Sequence, residues 1–157
     1  MSTSRLSAIN VVTNRERYGS VVGQPAPERA LRIGKAIKLI IGADGEVSEA
    51  ELAAFADLAA MFGVGEEMFA QFVAFDPRST TLQDCLEGLG DDALSRRMIY
   101  DAIKISSVDG YAAREREAVH KAAHIMGIDG ATVTLLEGLV EAERGIAAVR
   151  ARLLAEK

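Results

Sequence analysis

Acidic residues recur at two places in this chain in the same company. In IGADGEVSEAELAAF (41–55), Asp44 and Gly45 are followed by Glu46, Glu49 and Glu51. In SSVDGYAAREREAV (106–119), Asp109 and Gly110 are followed by Glu115 and Glu117. Clusters of this kind suit a hard divalent cation such as calcium or magnesium, which takes several oxygen ligands. The first stretch mimics the back half of a calcium loop, with Asp44, Gly45 and Glu51 at the fifth, sixth and last loop positions. The first and third positions would be Ile40 and Gly42, which carry no side-chain oxygen. The second stretch has Arg116 where the final Glu belongs. A stand-alone calcium loop is therefore excluded, and a cation site must draw on both corners. Its candidate ligands are Asp44, Glu46, Glu51, Asp109, Glu115 and Glu117, with Glu49 nearby.

The same residues have a purely structural use. Ser48 and Glu51 form an S-x-x-E capping box, in which each side chain binds the other residue's backbone N–H. The second copy has Ala112 and Ala113 where the capping serine would stand, so Glu115 lacks that partner. On a helical wheel Glu115 falls within the apolar arc of Val119, Ala122, Ala123 and Met126, and Glu51 falls at the edge of the arc of Leu52, Phe55 and Phe62. An inward carboxylate needs a donor, a cation or a proton. Lys38 and Lys104, each shortly before its Asp, are the candidates for internal ion pairs.

Other chemistry is sparse. Glu117, His120 and His124 share one helical face with a spacing that can bind zinc, though a solvated surface pair is the simpler reading. There is no phosphate loop, nucleophile elbow or dinucleotide fingerprint. The single cysteine, Cys85, lies among Leu82 and Leu86 and reads as a buried thiol.

The elements that must position these groups are all helical. Apolar residues follow helical spacing in segments near 27–43, 48–62, 66–75, 92–108 and 112–126. A short helix opens at Ser79 or Thr80, between two turns. Residues 1–24 form an arm, with a short helix opened by Thr3 or Ser4 and lined by Leu6, Ile9 and Val12 or Thr13. Residues 25–157 form one all-α domain ending in a long helix from Ala131 to Ala155. Along that helix Leu135, Leu139, Ala142, Ile146, Val149 and Leu153 alternate spacings of four and three, a heptad seam. It offers an interface for a homodimer, but packing on its own bundle is the expected use.

The two acidic stretches belong to a repeat. AIKLIIGADG (36–45) matches AIKISSVDG (102–110), and the helices that follow end in FGV (62–64) and MGI (126–128). The expected fold is thus an all-α bundle of about seven or eight helices built on two pseudo-repeated helix–DG–helix units. Over residues 30–130 the order and spacing resemble the TerB-like tellurite-resistance domain. In that resemblance Asp44, Glu51 and Asp109 match directly. Glu115 is the best fit for the fourth position and Glu117 the alternative, because the second copy is one residue shorter; Val108 stands where the family usually has Ala. The resemblance implies tellurite and other stress resistance, divalent-cation binding by acidic residues, and action through protein partners, including other tellurite-resistance proteins. The J-domain HPD signature found beside some such modules is absent, so co-chaperone activity does not carry over.

Composition narrows the field. A net charge of −5 and three Tyr, five Phe and no Trp argue against a nucleic-acid partner. No apolar run is long enough to span a bilayer, no signal peptide is evident, and a lone cysteine suits a reducing compartment, so a cytoplasmic location is expected. Two uses of the corners stand side by side. One is a non-enzymatic stress protein with a cation site; the other is a metal-free scaffold whose Asp and Glu are caps and ion pairs. A metalloenzyme using Glu117, His120 and His124 is the third reading.

Overall fold

A computed structural model describes residues 8–20 and 23–155, and every regular element among them is helical. The helices are α1 (Ala8–Tyr18), α2 (Pro27–Ile41), α3 (Glu49–Met61), α4 (Glu66–Ala74), α5 (Leu82–Leu86), α6 (Ala93–Ser106), α7 (Ala113–Ile125) and α8 (Gly130–Leu154). A single 3-10 turn, Pro77–Ser79, precedes α5. Thr3, Ser4 and Leu6 lie outside the described residues. Of the other residues named for the arm, Val12 is exposed; Asn14, not among them, is fully buried.

Local chemistry sets the boundaries. Pro27 opens α2, where its missing N–H costs nothing. Ser48, Thr81, Asp92 and Asp129 each accept a backbone N–H at the start of α3, α5, α6 and α8. The short helix therefore opens at Thr81, one or two residues later than the sequence suggests, because Thr81 and Asp84 form a reciprocal capping box. After α3 the Val64 N–H donates to Ala59 O at 2.9 Å, and after α7 the Ile128 N–H donates to Ala123 O at 2.9 Å. These are the same helix-ending turn in both repeats.

The repeat is visible in the packing. Helices α2, α3 and α4 correspond to α6, α7 and α8. α2 packs on α6, α2 on α7 and α3 on α6, while α4 lies on α2 as α8 lies on α6. That exchange of partners is what a pseudo-twofold axis requires. The core is built from Ile37, Ile40, Ile41, Ile99, Ile103 and Val119, all but fully buried. Each such side chain contributes about 1.5–3 kcal/mol by leaving water. Phe55 and Phe72 stack at 5.8 Å on the α3–α4 side. Gly34 lets α2 and α4 approach closely, since a Cβ there would lie 2.4 Å from the Phe72 ring.

The long helix departs from expectation. Its buried side chains are Val133 and Val140, with Leu136 half-buried between them. The heptad seam lies about one residue further round, and Leu135, Leu139, Ile146, Val149 and Leu153 are exposed. The bundle reaches only the first part of α8, so the helix carries two stripes and packs with the shorter one.

Candidate functional site

Two DG corners precede α3 and α7. Gly45 has φ +107° and Gly110 φ +139°, a backbone region that favours glycine. After each corner the chain enters its helix with a glutamate in the first turn. Glu51 accepts the Ser48 N–H at 2.9 Å, and the Ser48 hydroxyl accepts the Glu51 N–H at 3.1 Å. Glu115 accepts the Ala112 N–H at 2.8 Å. Sequence reasoning left Glu115 without a capping role; the alanine loses only the returning half of the box, because the backbone donor survives any side chain.

Both glutamates turn inward. Glu51 is 4% exposed and Glu115 1%. Their carboxyl groups meet within hydrogen-bonding reach. With both ionised, Glu115 Oε1 is buried with no donor, and the Ser106 hydroxyl beside it lacks a hydrogen bond too. One proton on the pair supplies the missing bond. Accordingly the Glu115 carboxyl is pushed up to about 7, first by burial, then by the hydrogen bond and charge of Glu51. The Ala112 N–H acts in the opposite direction. The two repeats thus place equivalent carboxylates face to face, and the meeting raises Glu115.

The other candidates lie elsewhere. Asp44, Glu46, Asp109 and Glu117 are exposed. Asp44 Oδ1 accepts the Glu46 N–H at 3.2 Å within its own turn. Among the described residues, no three His, Cys, Asp or Glu side chains are gathered as metal ligands would be. Neither lysine pairs with its Asp. Lys38 donates to Val73 O and Phe75 O at the end of α4, and Lys104 reaches Glu143 Oε2 at 3.1 Å. Carbonyls at the end of a helix carry partial negative charge and no helical partner, and so accept the Lys38 ammonium. The Cys85 thiol is buried in the core.

His120 and His124 part company. His120 Nε2 lies 3.2 Å from Glu137 Oε1 on α8, and His124 is exposed. Arg116 binds both Glu137 oxygens at 3.0 Å, and the Tyr111 hydroxyl donates to it at 3.2 Å. Glu137 thereby fastens α8 to α7.

A second buried acid escaped sequence reasoning. Asp101 is 2% exposed, its Oδ1 accepts Arg17 Nε at 2.7 Å, and its Oδ2 accepts the Tyr18 hydroxyl at 2.6 Å. Burial pushes Asp101 up, against the pull of Arg17 and Tyr18. The signal was present: Asp101 sits in the apolar stripe of Met98, Ala102 and Ile105. This cluster ties α1 to α6.

Fold and site together define a class: a helical bundle with two DG corners whose inward carboxylates meet on a pseudo-twofold axis. A crystal structure of a tellurite resistance protein from Nostoc punctiforme shares the fold, with a TM-score of 0.73 over 100% of this chain and 98% of that chain, at 22% identity. The TerB-like fold suggested by the two corners is therefore the fold of this chain. No protein-family model matches the chain, and no curated protein matches it in sequence. No helix among the described residues is long and apolar enough to cross a membrane.

Proposed function

We propose that this chain is a non-enzymatic, TerB-like stress protein of the tellurite-resistance kind. It works in the cytoplasm through protein partners, other resistance proteins among them. In this reading Glu51 and Glu115 form its responsive site, taking up either a proton or a divalent cation. The observation that carries it is the meeting of two equivalent, inward carboxylates with a buried oxygen that lacks a donor. A hard cation fits that need, because it neutralises both charges and accepts oxygens only. Two carboxylates alone are few ligands, so Asp44 and Asp109 on the corners, with Glu46 and Glu117 as outer charges, complete the set by closing in. A bound cation would link the two repeats and reshape the surface that partners read.

A specific observation favours the second reading, a metal-free scaffold. Each glutamate already binds a cap N–H, and one proton satisfies the pair. The two readings separate in one experiment. Calcium, magnesium, manganese and zinc are titrated at pH 8 while thermal stability is followed, in the native chain and in Glu51→Gln/Glu115→Gln. A cation site predicts stabilisation that grows with concentration, as binding to the folded state requires, and that the double variant loses. No shift with any of the four at millimolar levels leaves the scaffold reading.

A further inference from the structure

Beyond the carboxylate pair, α8 presents a feature the bundle does not use. From Arg144 to Leu154 every residue is exposed among the described residues. A helix segment of that length is marginal in water on its own, because tertiary packing supplies most helical stability. The seam along it is strongly apolar. Leu135 is 74% exposed, Ile146 58% and Leu153 69%. Elsewhere among the described residues, Val12, Val73 and Val108 are the exposed large apolar side chains, scattered singly. Ala142, Gly145, Ile146, Val149 and Arg150 line a shallow groove on this face.

We propose that this seam pairs with the same seam of a second copy of the chain, the two helices running antiparallel. Three observations choose that occupant. The alternation of four and three along the seam is the spacing with which one helix packs into another of its kind. Acidic charge leads and basic charge ends: Glu141 and Glu143 come first, with Arg144 beside them and paired to Glu141, and Arg150 and Arg152 come last. Antiparallel pairing sets basic ends on acidic ones, and parallel pairing stacks like on like. Finally, Arg150 and Arg152 have no acidic partner in their own chain among the described residues. Such a contact is isologous and closes as a twofold dimer.

The test uses the full chain. Sedimentation equilibrium should give twice the 16.8 kDa chain mass at micromolar concentration. Ile146→Glu/Val149→Glu should sediment as a monomer and keep the thermal unfolding of the bundle, since both side chains are exposed. Orientation is read with single cysteines. The two registers that keep seam on seam place Leu153 across from Ala142 or from Leu135. On oxidation, Leu153→Cys should not cross-link to itself, but should cross-link to Ala142→Cys or Leu135→Cys in a mixture. A monomer at all concentrations, an Ile146→Glu/Val149→Glu variant that still dimerises, or a self-linked Leu153→Cys dimer would each overturn the proposal. Binding of a monomer to anionic phospholipid vesicles would overturn it in favour of a lipid surface.

Discussion

Glu51 and Glu115 occupy the same place in two successive repeats, and their carboxyl groups meet in the interior. Each completes the first turn of its helix by accepting a backbone N–H, at 2.9 and 2.8 Å, and the Glu51 carboxyl acts on Glu115 through a hydrogen bond and its charge. The arrangement makes stability depend on a proton. Burial and the neighbouring carboxylate raise Glu115 to about 7, above the ordinary glutamate range. A raised carboxyl contributes stability fully below its unfolded value of about 4.3 and loses it as pH rises through about 7.

Glu115→Gln removes that titration while keeping a side chain that hydrogen-bonds Glu51. Its stability should exceed that of the native chain by roughly 1–3 kcal/mol at pH 8 and show no gain at pH 4.5. Denaturant melts at the two pH values check this. An equal effect at both would assign the change to packing alone.

Glu137 should show the opposite sign. Burial pushes it up, but the hydrogen bonds and charge of Arg116 outweigh this and hold it below the ordinary range. Its contribution is present above about pH 4.3 and lost below. Arg116 is largely exposed, so solvent screens the ion pair and its contribution is small. Glu137→Gln should therefore lower stability slightly at pH 7, with the difference fading as pH falls through 4 in denaturant melts.

Asp101→Asn should cost about 3 kcal/mol, because it leaves Arg17 and the Tyr18 hydroxyl facing an amide in a nearly sealed site. The loss should appear first in α1. Limited trypsin digestion at Arg15 and Arg17 should speed up before the bundle itself unfolds.

Gly34→Ala should cost about 1–3 kcal/mol by overpacking, since the new methyl meets the Phe72 ring. Gly34→Ala combined with Phe72→Leu should recover part of it.

The repeat, the helices and the inward lean of Glu115 were legible because helical periodicity and DG corners are local signals. What Glu115 meets was not, since it depends on how two corners more than sixty residues apart are set by the twofold packing. The lysines misled for a related reason: Lys38 has a nearer and better acceptor in the end of α4, which sequence spacing does not reveal. The α8 seam misled because regularity of pattern is not burial. Val133 and Val140 form a shorter stripe that the bundle covers, and the longer one, turned about one residue further round, stays exposed. Asp101 passed unread because its partners lie on α1, more than eighty residues away.

The carboxyl carbon of Glu115, followed by NMR from pH 4 to 9 with and without divalent cation, tests the central claim most directly. Exchange of the Glu115 proton for a cation predicts a midpoint near 7 that falls as calcium or magnesium is added, and that falls only part of the way in Glu51→Gln, where burial still holds it above the ordinary range. A midpoint in the ordinary glutamate range, unmoved by any cation and by loss of the Glu51 charge, would contradict it.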